Sequence, residues 1–525
     1  MSQLKGNPAL AELMKTPMEK MPVALRKMAG QAGTVQEATL MDILARSADT
    51  EIGRRLGFAR IGSAAEFVEK VPVTDYGDYR EAVERLKLGE GDILFPGRAS
   101  VFMMTSGTTG VAKYIPDSAA GAGVKALVSN LRTVEIVRML PAIMAPGTRF
   151  LAIANGDVYG RTEGGIPIGS ASGQAATEGS MTERMLPPPA VLGLSGADGG
   201  AVDDLFILYG LAEKRVVGVV CNNLTHFAKL KKKVDADPQR YIAMIREGRL
   251  PDALTAAEKA SLGATWTARP ERAEELSAIL KERGSLGIPA VWPELGAVSC
   301  WLSSGVGRCV KELRSLFSED ILYMEWGYGA SEGKFTIPGE PGVSRGYPAV
   351  FGYYFEFIPL DGGDPIPLTQ TVPGQRYELI VTSYSGLYRY NMHDIVRVDR
   401  DALGLPTMDF VCKASEKVTV GGATLYSGDL MDVVGDYEDR TGDLVRFFQA
   451  KVAGGSLDLI VEPVDPAMDR EAFARAMAGG LKDRGIALGQ IDWKAAGYQD
   501  SLYGYHLKNG KSVNQTKLPV FVSGS

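Results

Sequence analysis

The spacing of apolar positions changes repeatedly along this chain. In LMDILARSADTEIGRRLGF (40–58), Leu40, Leu44, Ala48, Ile52 and Leu56 recur every four residues. That spacing lines one face of a helix. PERAEELSAILKERG (270–284) starts after a proline and stops at a glycine, as helices often do. A further helix is predicted over 210–234, GLAEKRVVGVVCNNLTHFAKLKKKV. Runs rich in β-branched and aromatic residues interleave with these: RFLAIA (149–154), AVSCWLS (297–303), ILYMEWGY (321–328), YYFEFI (353–358) and YELIVTS (377–383). They predict strands. Helices alternating with such runs predict an α/β fold.

Two stretches interrupt the alternation. Residues 160–202 are rich in Gly, Ala, Ser and Pro, with GGIPIGSASGQAATEG and LPPPA. So long a stretch is either a surface excursion or a lid or binding loop. VRVDRDALGLP (396–406) mixes charge, glycine and proline, as a linker does. It sets an expected boundary near 398–402. A chain of 525 residues exceeds one compact core, so a large domain over 1–398 and a small α+β domain over 399–525 are expected.

Composition narrows the function classes. The net charge is −6, with 45% hydrophobic and 23% charged residues. Nothing there resembles the basic footprint of a nucleic-acid binder, so anions must be held by local devices. Cys221, Cys300, Cys309 and Cys412 form no CxxC, and His226, His393 and His506 show no ligand spacing. Buried thiols in a reducing compartment are expected, with no structural zinc. The amino terminus lacks a continuous apolar core of a secretory signal, and no stretch approaches the length of a membrane span. The expectation is a soluble cytoplasmic protein, with oligomeric state left open.

Four stretches carry candidate chemistry. VFMMTSGTTGVAKYIP (101–116) runs four apolar residues into a small, hydroxyl-rich loop ending at Lys113. Small residues let backbone N–H groups approach an anion, and Thr105, Ser106, Thr108, Thr109 and Lys113 add donors around Gly107. Two non-glycine residues separate Gly110 from Lys113, so this is not a GxxxxGK[ST] loop. A mobile hairpin loop is the bland alternative. YGASEG (328–333) follows a strand-like run. Tyr328 can stack on a flat ring, Ser331 can bond a phosphate, and Glu332 offers a hard ligand to Mg²⁺; a solvated turn is the alternative. In SGLYRYNMHDIVRV (385–398), Asp394 can accept ribose hydroxyls with Arg397 in support, or the two form a surface ion pair of little consequence. In SVNQTKLP, Lys517 precedes Leu518-Pro519 and is expected in a loop, although Lys508 and Lys511 are close by.

The order of these stretches resembles the adenylate-forming superfamily, and most of all the Gretchen Hagen family of acyl-acid amido synthetases. EKVPVTDYGDY (69–79), TSGTTGVAKYIP, WLSSGVG (301–307), YGASE, YYFEFIP, YELIVTSYSGLYRY with a following D-x-x-R step, and NQTKLP carry the likeness over nearly the full length. The chain departs from the family at His393, where glycine is usual, and in a phosphate loop closer to the general superfamily form. Both suggest a divergent, bacterial-type member.

The resemblance implies a large adenylate-forming domain of mixed sheets and helices with a small, mobile C-terminal domain. It implies ATP and Mg²⁺, a small carboxylic acid and an amino acid or amine as partners, and neither nucleic acid nor membrane. A carboxylate is adenylated, and the amine then displaces AMP. The phosphate loop would hold the β- and γ-phosphates, and Ser331 the α-phosphate. Tyr328, with Gly329 and Ala330, would pack on adenine, and Ser304, Gly305 and Val306 would line its edge. Asp394 and Arg397 would serve the ribose side, Glu332 the metal, and Lys517 the charge developing at the reacting oxygens. Val101 to Met104 and the 160–180 region would border the acyl pocket. Two rivals remain: an acyl-CoA ligase on the same scaffold, and a catalytically silent nucleotide-binding protein.

Overall fold

The computed structural model describes residues 6–105, 113–153, 158–169, 182–192, 194, 199–508 and 518–522. Its contacts divide the chain into two compact units. The first comprises Met1–Trp301, Leu316–Met392 and Arg397–Asp409; the second comprises Leu302–Ser315, His393–Val396 and Phe410–Ser525.

A five-stranded sheet lies in the first unit, in the order Met185–Leu186, Arg149–Ile153, Val216–Cys221, Ala297–Cys300, Leu322–Glu325. Its neighbours pair parallel, with Val219 opposite Val298 and Val298 opposite Tyr323. Ala297–Cys300 is buried throughout, as a parallel strand covered on both faces should be. The strand Val216–Cys221 corrects the single helix expected over 210–234. The helix Gly199–Ala212 ends first, the β-branched run VVGVVC forms the strand, and a new helix, Leu224–Ala236, starts where the Asn223 side chain accepts from Thr225 N. Lys and Ala at both ends had masked a run with no helical period.

The helix expected over 40–58 is likewise two helices, Ala32–Ser47 and Glu51–Leu56. Thr50 Oγ1 accepts from Gly53 N at 3.1 Å and restarts the chain, and Gly57 ends the second helix at φ +70°. The remaining predicted strands are present as Arg149–Ile153, Ala297–Cys300, Leu322–Glu325, Tyr353–Pro359 and Arg376–Ser383.

A seven-stranded sheet runs in the order Thr336–Pro338, Gly346–Pro348, Pro406–Lys413, Tyr390–Arg400, Arg376–Ser383, Tyr353–Pro359, Ile366–Pro367. The charged stretch read as a linker is the turn between two of its strands. Asp401 Oδ1 accepts from the backbone of Leu403 and Leu405 at 2.9 and 2.8 Å, and Gly404 holds φ +77°. A four-stranded sheet has the order Lys113–Asp117, Val101–Thr105, Pro167–Gly169, Val158–Arg161. Two strands of the 160–202 stretch therefore belong to a sheet with the phosphate-loop candidate, whereas residues 170–181 of that stretch lie outside the described residues.

In the second unit, Val445–Ala453 pairs antiparallel with Ser456–Pro463, which pairs parallel with Ala487–Trp493. The helices Ser427–Thr441 and Arg470–Lys482 pack together, and Leu430, Val434, Leu457, Phe473 and Met477 form the core. The helix Ser304–Leu313 joins this unit through charge. Arg308, stacked 4.9 Å from the Phe448 ring, reaches the buried Glu438 at 2.5 Å and Val445 O at 3.0 Å. Arg446 binds Glu312 at 2.7 Å. Among the described residues no helix is long and apolar enough to cross a membrane.

Candidate active site

The phosphate-loop candidate is closed by a hairpin. Val101–Thr105 and Lys113–Asp117 pair antiparallel, with Thr105 opposite Lys113 at the open end. Ser106, Gly107, Thr108 and Thr109 lie outside the described residues, and Thr105 is described by its backbone alone. The Lys113 ammonium lies 5.5 Å from the Tyr76 ring centroid. Tyr76 Oη accepts from Tyr114 N at 2.9 Å, so the loop end of the hairpin is tied to the helix Tyr76–Lys87.

The hairpin feeds a long helix, Ala119–Met139, whose Ser118 cap accepts from Gly121 N. This helix is mostly apolar, rich in Ala and Val, yet Lys125, Ser129 and Arg132 recur at i, i+4 and i+7, the spacing of one face. That face grips the segment containing YGASEG. Arg132 donates from Nε to Thr336 O at 3.0 Å and from Nη2 to Tyr328 O at 3.2 Å. Lys334 Nζ donates to Ser129 Oγ. Lys125 Nζ donates to Ser331 O at 3.1 Å. Burial lowers the Arg132 pKa to about 10, partly offset by the nearby Glu325 carboxylate, so it stays cationic at neutral pH. The sequence reading missed this face; its polar residues at helical spacing inside an apolar helix were the available signal.

The gripped segment is a tight turn. Gly329 bridges Lys334, and Ala330 N donates to Gly333 O at 2.8 Å. Two glycines are required by space. A Cβ on Gly327, at φ +91°, would fall 2.6 Å from the Arg132 guanidinium, and one on Gly333 would fall 2.5 Å from the Phe335 ring. The Tyr328 ring is buried and lies 5.2 Å from Phe335.

Glu332 is 8% exposed. Burial, and then the Glu332 charge, push the Tyr390 hydroxyl pKa up. Tyr390 is held in turn by Thr74, whose N–H donates to Arg389 O at 2.9 Å and whose carbonyl accepts from Asn391 N at 2.8 Å. Arg389 itself sits at φ +48°, fixed by two hydrogen bonds to Glu356 at 3.0 and 2.8 Å and by donation to the Val68 and Val71 carbonyls. Among the described residues no three His, Cys, Asp or Glu side chains cluster as a metal cage. A single carboxylate such as Glu332 suits Mg²⁺, which takes one or two carboxylates together with substrate phosphates.

Lys113, Tyr328, Gly329, Ala330, Ser331 and Glu332 lie in one unit, and the helix Ala119–Met139 contacts both the turn bearing Ser331 and the far end of the strand that begins at Lys113. Arg397 belongs to the same unit, whereas Ser304, Gly305, Val306 and Asp394 belong to the second. Ser304, Gly305 and Val306 open the helix Ser304–Leu313, and of Ser304 and Val306 only the backbone is described. A Cβ on Gly305 would meet Met431 Cε at 3.2 Å. Asp394 is 1% exposed and pairs with Lys413, which corrects the alternative of a surface ion pair. His393, just before it, holds φ +50°, a conformation that favours glycine. Lys517 lies outside the described residues. Just beyond it, the Pro519 carbonyl accepts from Gln449 Nε2 at 2.9 Å, and Val520 O accepts from Ala450 N at 2.7 Å.

Known proteins resemble this chain in sequence and in fold. Residues 23–322 match the model of the GH3 family N-terminal domain, and residues 348–413 that of the GH3 family central domain. Jasmonoyl–L-amino acid synthetase JAR4 of Nicotiana attenuata is 25% identical over 537 residues, spanning 93% of this chain and 91% of that protein. Indole-3-acetic acid-amido synthetase GH3.10 of Arabidopsis thaliana is 26% identical over 481 residues, spanning 82% and 79%. Among solved structures, the GH3.15 acyl acid amido synthetase superposes with a TM-score of 0.78 at 22% identity, over 96% of this chain and 94% of that one. A 2-hydroxyisobutyryl-CoA ligase gives 0.54 at 13% identity, over 97% and 90%; both likenesses speak to fold. With more than half of its length matched by the family's N-terminal domain and a further segment by its central domain, the chain belongs to the GH3 family.

Proposed function

We propose that this chain is an ATP-dependent acyl-acid amido synthetase. A carboxylate oxygen attacks the α-phosphorus of ATP, the bond to the bridging oxygen breaks, and pyrophosphate leaves. An amine nitrogen, most simply that of an amino acid, then attacks the acyl carbon. The acyl C–O bond breaks, AMP leaves with the electron pair, and the nitrogen gives up a proton. The first step replaces a poor leaving group, oxide, with a good one. Family membership supports the reading, as do the amido synthetase names of its relatives. The observation that carries it is the grip of one helix on both the hairpin bearing Lys113 and the turn bearing Ser331 and Glu332.

In this reading the loop donors Thr105 to Thr109, with Lys113, hold the β- and γ-phosphates, and Ser331 the α-phosphate. Tyr328 and the 304–306 backbone take the adenine, and Asp394 and Arg397 the ribose side. Glu332, together with phosphate oxygens, would hold Mg²⁺, which would neutralise the pyrophosphate charge when bound. Lys517 stabilises charge at the α-phosphoryl and carboxylate oxygens; losing such a donor costs about 10²–10³ in rate. The carboxyl-terminal region moves between the two half-reactions.

The test is carboxylate-dependent pyrophosphate exchange across a panel of organic acids, followed by mass analysis after adding amino acids or CoA. Exchange with amide product is expected, and exchange with thioester alone would make the chain a CoA ligase. ATP consumption without carboxylate dependence would overturn the reading. Lys517→Ala is expected to abolish exchange while ATP still binds.

A further inference from the structure

A buried lysine outside the motifs joins the two halves of the phosphate site. Lys125 stands on the first third of the helix Ala119–Met139 with its side chain 5% exposed. Its ammonium lies 3.1 Å from Asp117 Oδ2 and donates to Ser331 O at 3.1 Å. Asp117 ends the strand that begins at Lys113, is fully buried, and accepts from Ser385 Oγ at 2.5 Å. The surroundings are shaped for this pair. A Cβ on Gly121 would fall 2.0 Å from Ser385 Oγ and 2.3 Å from Asp117 Oδ1.

Stability is a weak reason for such a pair. Desolvating a lysine and an aspartate offsets most of their attraction, and apolar groups of similar volume commonly replace buried pairs at no loss. What apolar groups cannot do is aim a donor at a chosen carbonyl. Arg132 and Ser129 hold Tyr328 and Lys334 at either end of the turn; Lys125 reaches the turn itself, one residue from Glu332.

Resting on the functional reading above, we infer that Lys125 is a positioning residue for the adenylation step: anchored on Asp117, it fixes the Ser331–Glu332 corner relative to the strand that carries Lys113. It touches neither substrate nor metal. It acts through the Ser331 carbonyl, and displacing that corner by about 1 Å is expected to slow the chemistry about 10²-fold.

The experiment compares Lys125→Met, Lys125→Arg and the double variant Lys125→Met/Asp117→Asn with the wild type, in acid-dependent pyrophosphate exchange and in thermal unfolding. Lys125→Met alone leaves Asp117 buried without its cation and is expected to lower the unfolding midpoint. The double variant removes both charges and keeps an acceptor for Ser385, so its midpoint is expected to return towards the wild type. Its exchange kcat is expected to stay about 10²-fold down, with the KM for ATP within about threefold of wild type. Lys125→Arg retains charge and donors and is expected to recover most of the rate. A double variant that regains both stability and kcat overturns the inference, as does a rate that merely follows the folded fraction. Absence of exchange in the wild type with every acid overturns the functional reading and this inference with it; exchange that the double variant leaves unmoved overturns this inference alone.

Discussion

Gly327→Ala tests the claim that the turn following Gly327 is held by packing against Arg132. Gly327 sits at φ +91°, and its missing Cβ leaves room for the Arg132 guanidinium, which would otherwise lie 2.6 Å away. The conformational cost of a Cβ in the left-handed region is about 1–2 kcal/mol. If Arg132 is displaced, it forfeits its bonds to Tyr328 O and Thr336 O, each worth about 1.5–3 kcal/mol for a charged donor. The limits are therefore about 1 and 8 kcal/mol, and partial adjustment of the arginine places the expectation near 3–5 kcal/mol. That is a large share of the usual 5–15 kcal/mol of a folded protein, roughly speaking. Urea denaturation followed by circular dichroism reads the loss. The same substitution in an Arg132→Ala background meets no guanidinium, so its added cost is expected to fall to about 1–2 kcal/mol. Equal costs in the two backgrounds would refute the packing argument.

Asp394→Ala is expected to raise the KM for ATP by about 10- to 10²-fold, the loss of charged hydrogen bonds to a ribose; an unchanged KM with lowered stability would confine Asp394 to its ion pair with Lys413. His393, exposed at φ +50°, is expected to accept glycine with a stability change within about 1 kcal/mol, because relieved strain offsets added chain entropy. His393→Val is expected to cost about 1–3 kcal/mol, and equal urea midpoints for the histidine and valine forms would contradict this. For Asp203, burial is outweighed by hydrogen bonds from His226 and Lys229, which hold its carboxyl below the usual carboxylate range. A depressed folded-state pKa contributes stability that is full above the unfolded pKa of about 4 and is lost as pH falls through the folded value. The gap in melting temperature between wild type and Asp203→Asn is therefore expected to shrink as pH falls below about 4; a constant gap down to pH 2 would refute it.

Local pattern was a good guide wherever one element answers to one period. The runs RFLAIA, YYFEFI and YELIVTS became strands because alternating or continuous β-branched and aromatic residues suit little else. Pattern failed where a boundary depends on a cap or a partner. Thr50 broke a helix whose four-residue spacing continued across the break, and VVGVVC became a strand because parallel neighbours on either side supply its hydrogen bonds. VRVDRDALGLP looked like a linker because the same Asp, Gly and Pro that loosen a chain also close a hairpin turn.

The site divides along the same line. TSGTTGVAK and YGASEG stand out in the sequence as candidates because a grip on phosphate and metal would need small, hydroxyl and carboxylate residues in short contiguous segments. Lys125, Ser129 and Arg132 do not, since each is an ordinary polar residue until the helix meets a turn some two hundred residues further on. The amino-acid order alone determined the family, the α/β class and the two candidate segments, TSGTTGVAK and YGASEG. Only the tertiary structure decided that one helix face joins the strand Lys113–Asp117 to the turn after Tyr328, that Asp394 is buried against Lys413, and that Ser304–Leu313 packs with the carboxyl-terminal unit. Ion pairs and donor–carbonyl contacts between distant residues are set by the packing of whole elements, which no local period encodes.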